Sequence, residues 1–119
     1  MSISIDWAIN AKHVNGATCT LEEKLRILNA INTYIGDVEL WSYGDAVCEF
    51  YTTSIHAESI IDEIIRRCAQ EMPDVMIEVF SDFDDGSGTR ALYFGQEVEL
   101  LDKITTWEKP KVINWPCNL

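Results

Sequence analysis

The chain has 119 residues, enough for one domain with a genuine core that needs no metal or disulfide staples. Its apolar fraction of 47%, with four Trp, four Tyr and four Phe, excludes a disordered chain. Twenty acids against nine bases give a formal net charge of −11, which repels nucleic-acid backbones and anionic membrane surfaces and attracts basic ones.

No apolar run approaches the roughly 18 residues that span a bilayer. The start, Met1-Ser2-Ile3-Ser4-Ile5-Asp6, lacks the basic and long apolar regions of a signal peptide, so a cytoplasmic setting is expected. There Cys19, Cys48, Cys68 and Cys117, which form no C-x-x-C pair, are expected as free thiols. Structural zinc is disfavoured because it takes paired Cys/His ligands at short spacing.

Ser2–Trp7 alternates small or polar with apolar residues and predicts a strand with Ile3, Ile5 and Trp7 inward. Residues 10–18 carry turn residues without a period and predict a loop. Thr20-Leu21-Glu22-Glu23 is a capping box opening a helix whose stripe is Leu21, Leu25, Leu28, Ile31 and Ile35, with Gly36 ending it. A short strand Val38–Ser42, a turn Tyr43–Asp45 and a strand Ala46–Thr52 then form a hairpin.

Ala57–Met72 predicts a second amphipathic helix, capped by Thr53 or Ser54 and stopped by Pro73. Its apolar stripe is Ile60, Ile61, Ile64, Ile65, Cys68 and Met72, and Arg66 and Arg67 are expected to pair with Asp62 and Glu63 one turn earlier. Val75–Phe83, apolar on both sides apart from Glu78, reads as a central strand. Asp85-Gly86 marks a turn, Arg90–Gly95 a return strand, and Gln96–Leu101 a further strand. Residues 104–119 read as an extended tail anchored by Trp107 and Trp115. The whole is predicted to be one α+β domain, 1–119, of ferredoxin-like β-α-β-β-α-β order. Two helices would cover one face of an antiparallel sheet, with an added C-terminal hairpin strand.

No motif for catalysis emerges, so an enzyme, a metal and a cofactor are not expected. Asp82, Asp84, Asp85 and Gly86 have the wrong phase for a calcium loop, and Gly86-Ser87-Gly88 lacks the lysine of a phosphate loop. His13 and His56 sit in no recognisable nucleophile or metal motif. Arg66-Arg67 is too small for a nucleic-acid footprint.

What stands out is charge placement. Between Asp37 and Asp102 there are sixteen acids and three bases, and Trp41, Tyr43, Tyr51, Phe83 and Tyr93 lie among them. Aromatic anchors among steering charges are typical of protein interfaces. Rows of carboxylates on a sheet could also imitate duplex phosphates.

The runs Trp41-Ser42-Tyr43-Gly44-Asp45-Ala46, Phe50-Tyr51-Thr52-Thr53, Met72-Pro73-Asp74 and the turn 82–88 with its return strand carry a resemblance. Over about half the chain they are similar to the ferredoxin-like region of the Api92-like proteins of phages and mobile elements. The resemblance implies a mobile-element setting, where small acidic proteins often inhibit host defence, anti-CRISPR proteins among them. The expected function is therefore an inhibitor of a basic, nucleic-acid-binding bacterial defence protein. Asp82, Asp84, Asp85, Glu39, Glu49 and Glu78 would supply charge, and Tyr43 and Phe83 apolar anchors. Two alternatives stay open: an immunity protein for a basic toxin such as a nuclease, and a small-molecule binder or enzyme with a pocket between helices and sheet. The edge strand Val38–Ser42 could also pair across a homodimer.

Overall fold

The first strand is nine residues long, β1 (Ile5–His13), and lies inside the sheet with neighbours on both sides. In the computed structural model, which describes residues 4–41, 44–84 and 86–104 (side chains of the last strand through Val98), the elements follow as α1 (Leu21–Asn32), β2 (Ala46–Thr52), α2 (Ala57–Glu71), β3 (Val75–Phe83), β4 (Gly88–Phe94) and β5 (Glu97–Ile104). The five strands form one sheet in the order β2-β1-β3-β4-β5, every neighbouring pair antiparallel. The described residues are thus α+β with two helices and an antiparallel sheet, as expected, but the sheet order differs from the ferredoxin-like one.

Two corrections explain the difference. The strand expected at Val38–Ser42 does not form among the described residues: residues 38–41 lie outside the sheet, joined to it by the bond from Trp41 N–H to the Val47 carbonyl (2.8 Å), while Ser42 lies outside the described residues. The sheet therefore ends at β2 and β5, not at a strand Val38–Ser42. The first strand also runs on to His13, through residues expected as loop. Since β1 is antiparallel to both β2 and β3, those two run the same way. Hence β2-α2-β3 is a split β-α-β unit with β1 inserted between its strands.

Alternation gives the sheet two unlike faces. On one, Ile5, Trp7, Ile9 and Ala11 of β1 join Val75, Ile77 and Val79 of β3 and Tyr93 of β4 in the main core. The helices close it with Ile27, Leu28 and Ile31 from α1 and Ala57, Ile61, Ile65, Cys68 and Ala69 from α2. Trp7 stacks on Phe50 and donates its ring N–H to Thr52 Oγ1 at 2.9 Å, so the largest ring in the core has its polar atom satisfied. The thiols of Cys19, Cys48 and Cys68 are free and buried; Cys117 and the tail 105–119 lie outside the described residues.

The helices keep their expected positions with altered details. Thr20 and Glu23 complete the capping box, with Glu23 N–H donating to Thr20 Oγ1 and Thr20 N–H to Glu23 Oε1. The buried face of α1 is nevertheless rotated: Leu21 and Leu25 are exposed, while Lys24 and Ile27 join Leu28 and Ile31 inside. Lys24 can be buried because its stem packs and its ammonium reaches the Gly44 carbonyl at 2.7 Å. Helix α1 stops at Asn32, short of Ile35, and the left-handed pair Gly36 (φ 77°) and Asp37 (φ 58°) turns the chain out. At α2 the cap residue is His56, whose side chain makes no capping bond; Ser54 Oγ instead accepts from its backbone N–H. Arg66 and Arg67 pair with Asp62 and Glu63 at 2.7 and 3.4 Å, as predicted.

Candidate interaction surface

The second face of the sheet takes the other half of each alternation. Asp6, Ala8, Asn10 and Lys12 on β1 lie opposite Asp82, Phe80, Glu78 and Met76 on β3. Tyr51 and Glu49 on β2 continue the rows on one side, and Arg90, Leu92 and Phe94 on β4 continue them on the other. Met76, Leu92 and Phe94 form a second, smaller apolar cluster there.

At the β2 end this face forms a groove of about 450 Å³. Its lining includes three carboxylates (Asp6, Glu49 and Asp82), four aromatic residues (Trp7, Phe50, Tyr51 and Phe80) and Ala8, and among the described residues no Lys or Arg. Asp6 and Asp82 are direct cross-strand partners, an arrangement of like charges that costs stability in an isolated sheet and favours a cation between or above them. Tyr51 stands half exposed with its hydroxyl on Ser4 Oγ (2.7 Å), which holds the ring upright at the rim. The Arg90 guanidinium lies 6.0 Å from the Phe80 ring centre, a cation–π contact at the inner edge.

Further along the face Glu78 is fully buried. Its Oε1 accepts from Asn10 Nδ2 at 3.0 Å, and its Oε2 has no hydrogen-bond partner among the described residues. Burial raises its proton affinity above that of an ordinary carboxylate; Asp45 adds to this, while the Asn10 bond and the Arg90 and Lys12 charges oppose it without cancelling it.

The residues singled out from sequence therefore separate. Asp82 and Glu49 meet in the groove, whereas Glu78 belongs to the same face but is sealed within it. Phe83 points to the helix side and packs against the main core, partly buried. Glu39 is exposed on the segment before β2, and Asp84 is exposed on the turn after β3, its N–H donating to the Ser4 carbonyl at 3.2 Å. Tyr43 and Asp85 lie outside the described residues. Sequence reasoning missed Asp6, Phe80 and Ala8. The signal was present in the period-2 run Asp6-Ala8-Asn10-Lys12, had the first strand been carried past Trp7.

The helix side has a different charge character. Arg66, Arg67 and Arg26 pair with Asp62, Glu63 and Glu71 there, the last at 3.9 Å. Between α2 and the sheet a cleft of about 370 Å³ is lined by Trp7, Glu58, Asp62, Ser81, Thr89 and Tyr93, among others. The Tyr93 hydroxyl donates to Asp62 Oδ1 at 2.7 Å; burial and that carboxylate both raise its pKa, so the phenol stays protonated. No helix among the described residues is long and apolar enough to cross a membrane.

Compared with protein-family models, curated proteins and solved structures, the chain matches none.

Proposed function

We propose that this chain is a small acidic inhibitor, of the phage or mobile-element kind, acting from the sheet face that the helices leave uncovered. Its target is a basic, nucleic-acid-binding bacterial defence protein, the role anti-CRISPR proteins fill. The observation that supports this reading is the groove: three carboxylates and four aromatic residues with no Lys or Arg in its lining among the described residues. A sheet holds such groups at fixed spacing, so little ordering entropy is lost when they meet a partner. Carboxylates steer Lys and Arg side chains in, while Tyr51 offers a ring face on which a guanidinium can stack, as Arg90 does over Phe80. The net charge of −11 speeds encounter with any basic surface. An immunity protein for a basic nuclease toxin would use the same chemistry, and a toxin gene beside this one would favour it.

The test is affinity capture from a bacterial lysate with the intact chain and with the triple variant Asp6→Asn, Glu49→Gln, Asp82→Asn. The wild type should retain a basic nucleic-acid-binding protein that elutes as salt rises, and the triple variant should lose it. Capture of the same protein by both forms at low salt defeats the proposal. A second reading, a small-molecule binder, draws on the cleft under α2, whose Ser81, Thr89 and Asp62 side chains offer polar contacts. A ligand-dependent rise in melting temperature abolished by Thr89→Val would support it.

A further inference from the structure

The turn after β1 and the cap of α1 bring together three groups that chain order keeps apart. His13 ends β1. The chain then turns back at once, with His13 N–H donating to the Ala17 carbonyl (2.8 Å), Gly16 N–H to the His13 carbonyl (2.9 Å), and Lys12 bridged to Thr18. This returns Cys19 beside His13, one residue before the cap Thr20. Glu23, the third residue of α1, reaches back toward both. One ring nitrogen of His13, Cys19 Sγ and one carboxylate oxygen of Glu23 all lie within 4.8 Å of one another.

We propose that His13, Cys19 and Glu23 form a binding site for a single zinc-class divalent ion. Imidazole, thiolate and carboxylate are the three ligand types zinc accepts. The sulfur and the imidazole argue against calcium and magnesium, which take oxygen. Tetrahedral coordination at normal bond lengths sets the donors about 3.3–3.7 Å apart. The sulfur therefore needs to close by no more than about 1.3 Å, and the His13 and Glu23 donors to open by about 0.6 Å, both within reach of side-chain rotation. His13 Nε2 already sits 2.7 Å from Glu23 Oε1, a hydrogen bond that an ion would replace with two coordinate bonds.

The shell around the ligands is in place as well. Glu23 is held by the Thr20 N–H at 2.8 Å, an outer partner of the kind that orients a ligating carboxylate. Cys19 is buried, so its thiol is shielded from competing chemistry, and on binding its proton leaves to solvent as the S–metal bond forms. Three protein ligands leave the fourth position to water or to a group from another molecule, as in open zinc sites. The pattern H-x5-C-x3-E escapes the usual search because it contains no pair of cysteines or histidines at short spacing. It depends on the turn and the capping box for its geometry, and it stands whether or not the acidic groove binds a partner.

Cobalt(II) is the probe, added alone to the full-length reduced chain without oxygen. Expected are intense visible bands of a tetrahedral ion and a near-ultraviolet sulfur-to-cobalt band, saturating at one cobalt per chain and abolished by zinc. Cys19→Ser should remove the sulfur band. His13→Gln and Glu23→Gln should each weaken binding by at least about tenfold. Gln at position 23 still completes a capping box, so that variant keeps the helix start. Absence of the sulfur band at saturating cobalt, or a band that survives Cys19→Ser, overturns the site.

Discussion

Glu78→Gln offers a direct reading of how the helix-free face is built. A carboxylate whose folded pKa is raised above its unfolded value binds its proton more tightly in the native state. Below the ordinary glutamate range both states are protonated and Glu78 costs nothing through its charge. As pH rises through the unfolded value toward the folded one, the unfolded chain releases the proton first and stability falls. The loss is about 1.4 kcal/mol for every tenfold by which burial tightens the hold on the proton. Glutamine has nearly the same shape and keeps an oxygen for Asn10 Nδ2, but it has no charge to bury. The variant should therefore match the wild type near pH 4, exceed it at pH 8, and flatten the curve between. Urea unfolding followed by tryptophan fluorescence across pH 4–8 measures this. A Glu78→Gln protein less stable than wild type by about 3 kcal/mol at pH 8 would refute the reasoning. Such a loss is what breaking a charged pair with Arg90 or Lys12 produces.

Three other expectations follow from local geometry. A Cβ at position 88 would meet the Ser81 carbonyl oxygen at 2.5 Å, a backbone atom of the paired strand that cannot rotate away; Gly88→Ala should lower unfolding free energy by about 1–3 kcal/mol in urea melts. Thr20→Ala removes the oxygen that caps Glu23 N–H and should cost about 1 kcal/mol, read as a lower melting temperature with unchanged denaturant slope. Burial pushes the thiols of Cys19 and Cys48 up to about 12 and that of Cys68 to about 11. In a Cys117→Ser background, native iodoacetamide labelling at pH 8 should therefore run about a thousandfold slower at the first two, and about a hundredfold slower at Cys68, than after unfolding.

How much of this could be seen in the chain alone depended on which residues were asked to carry the pattern. Val75–Phe83 and Ala57–Glu71 were legible almost to the residue, because strand and helix periods there are written in large aliphatic side chains with a proline between. β1 was not. Its second half, Asn10-Ala11-Lys12-His13, looks like a loop by hydropathy. The polar side chains belong there because Asn10 bonds to Glu78 and Lys12 stands 3.8 Å from Asp45, partners supplied by residues more than thirty positions away. The same limit explains α1. Lys24 is buried through the Gly44 carbonyl and Leu21 is left out, so a rule that places Lys outside and Leu inside rotates the helix the wrong way.

The acidic surface shows why charge counted along a chain says little about charge on a face. Sixteen acids lie between Asp37 and Asp102, but Asp62 and Glu63 on α2 meet arginines one turn away, and Asp84 stands on the turn after β3, outside the sheet. What gathers on the helix-free face is set by the period of two and by register. Glu78, Phe80 and Asp82 share a face because they are alternate residues, and Asp6 joins Asp82 only because β1 pairs with β3 in that one alignment. Shifting β1 by one residue would turn Asp6 toward the core and Trp7 away from it, a change the stacked Trp7–Phe50 pair and the Trp7–Thr52 bond forbid. The groove is thus fixed by the core beneath it: the tryptophan that anchors the hydrophobic side determines which carboxylates stand on the other.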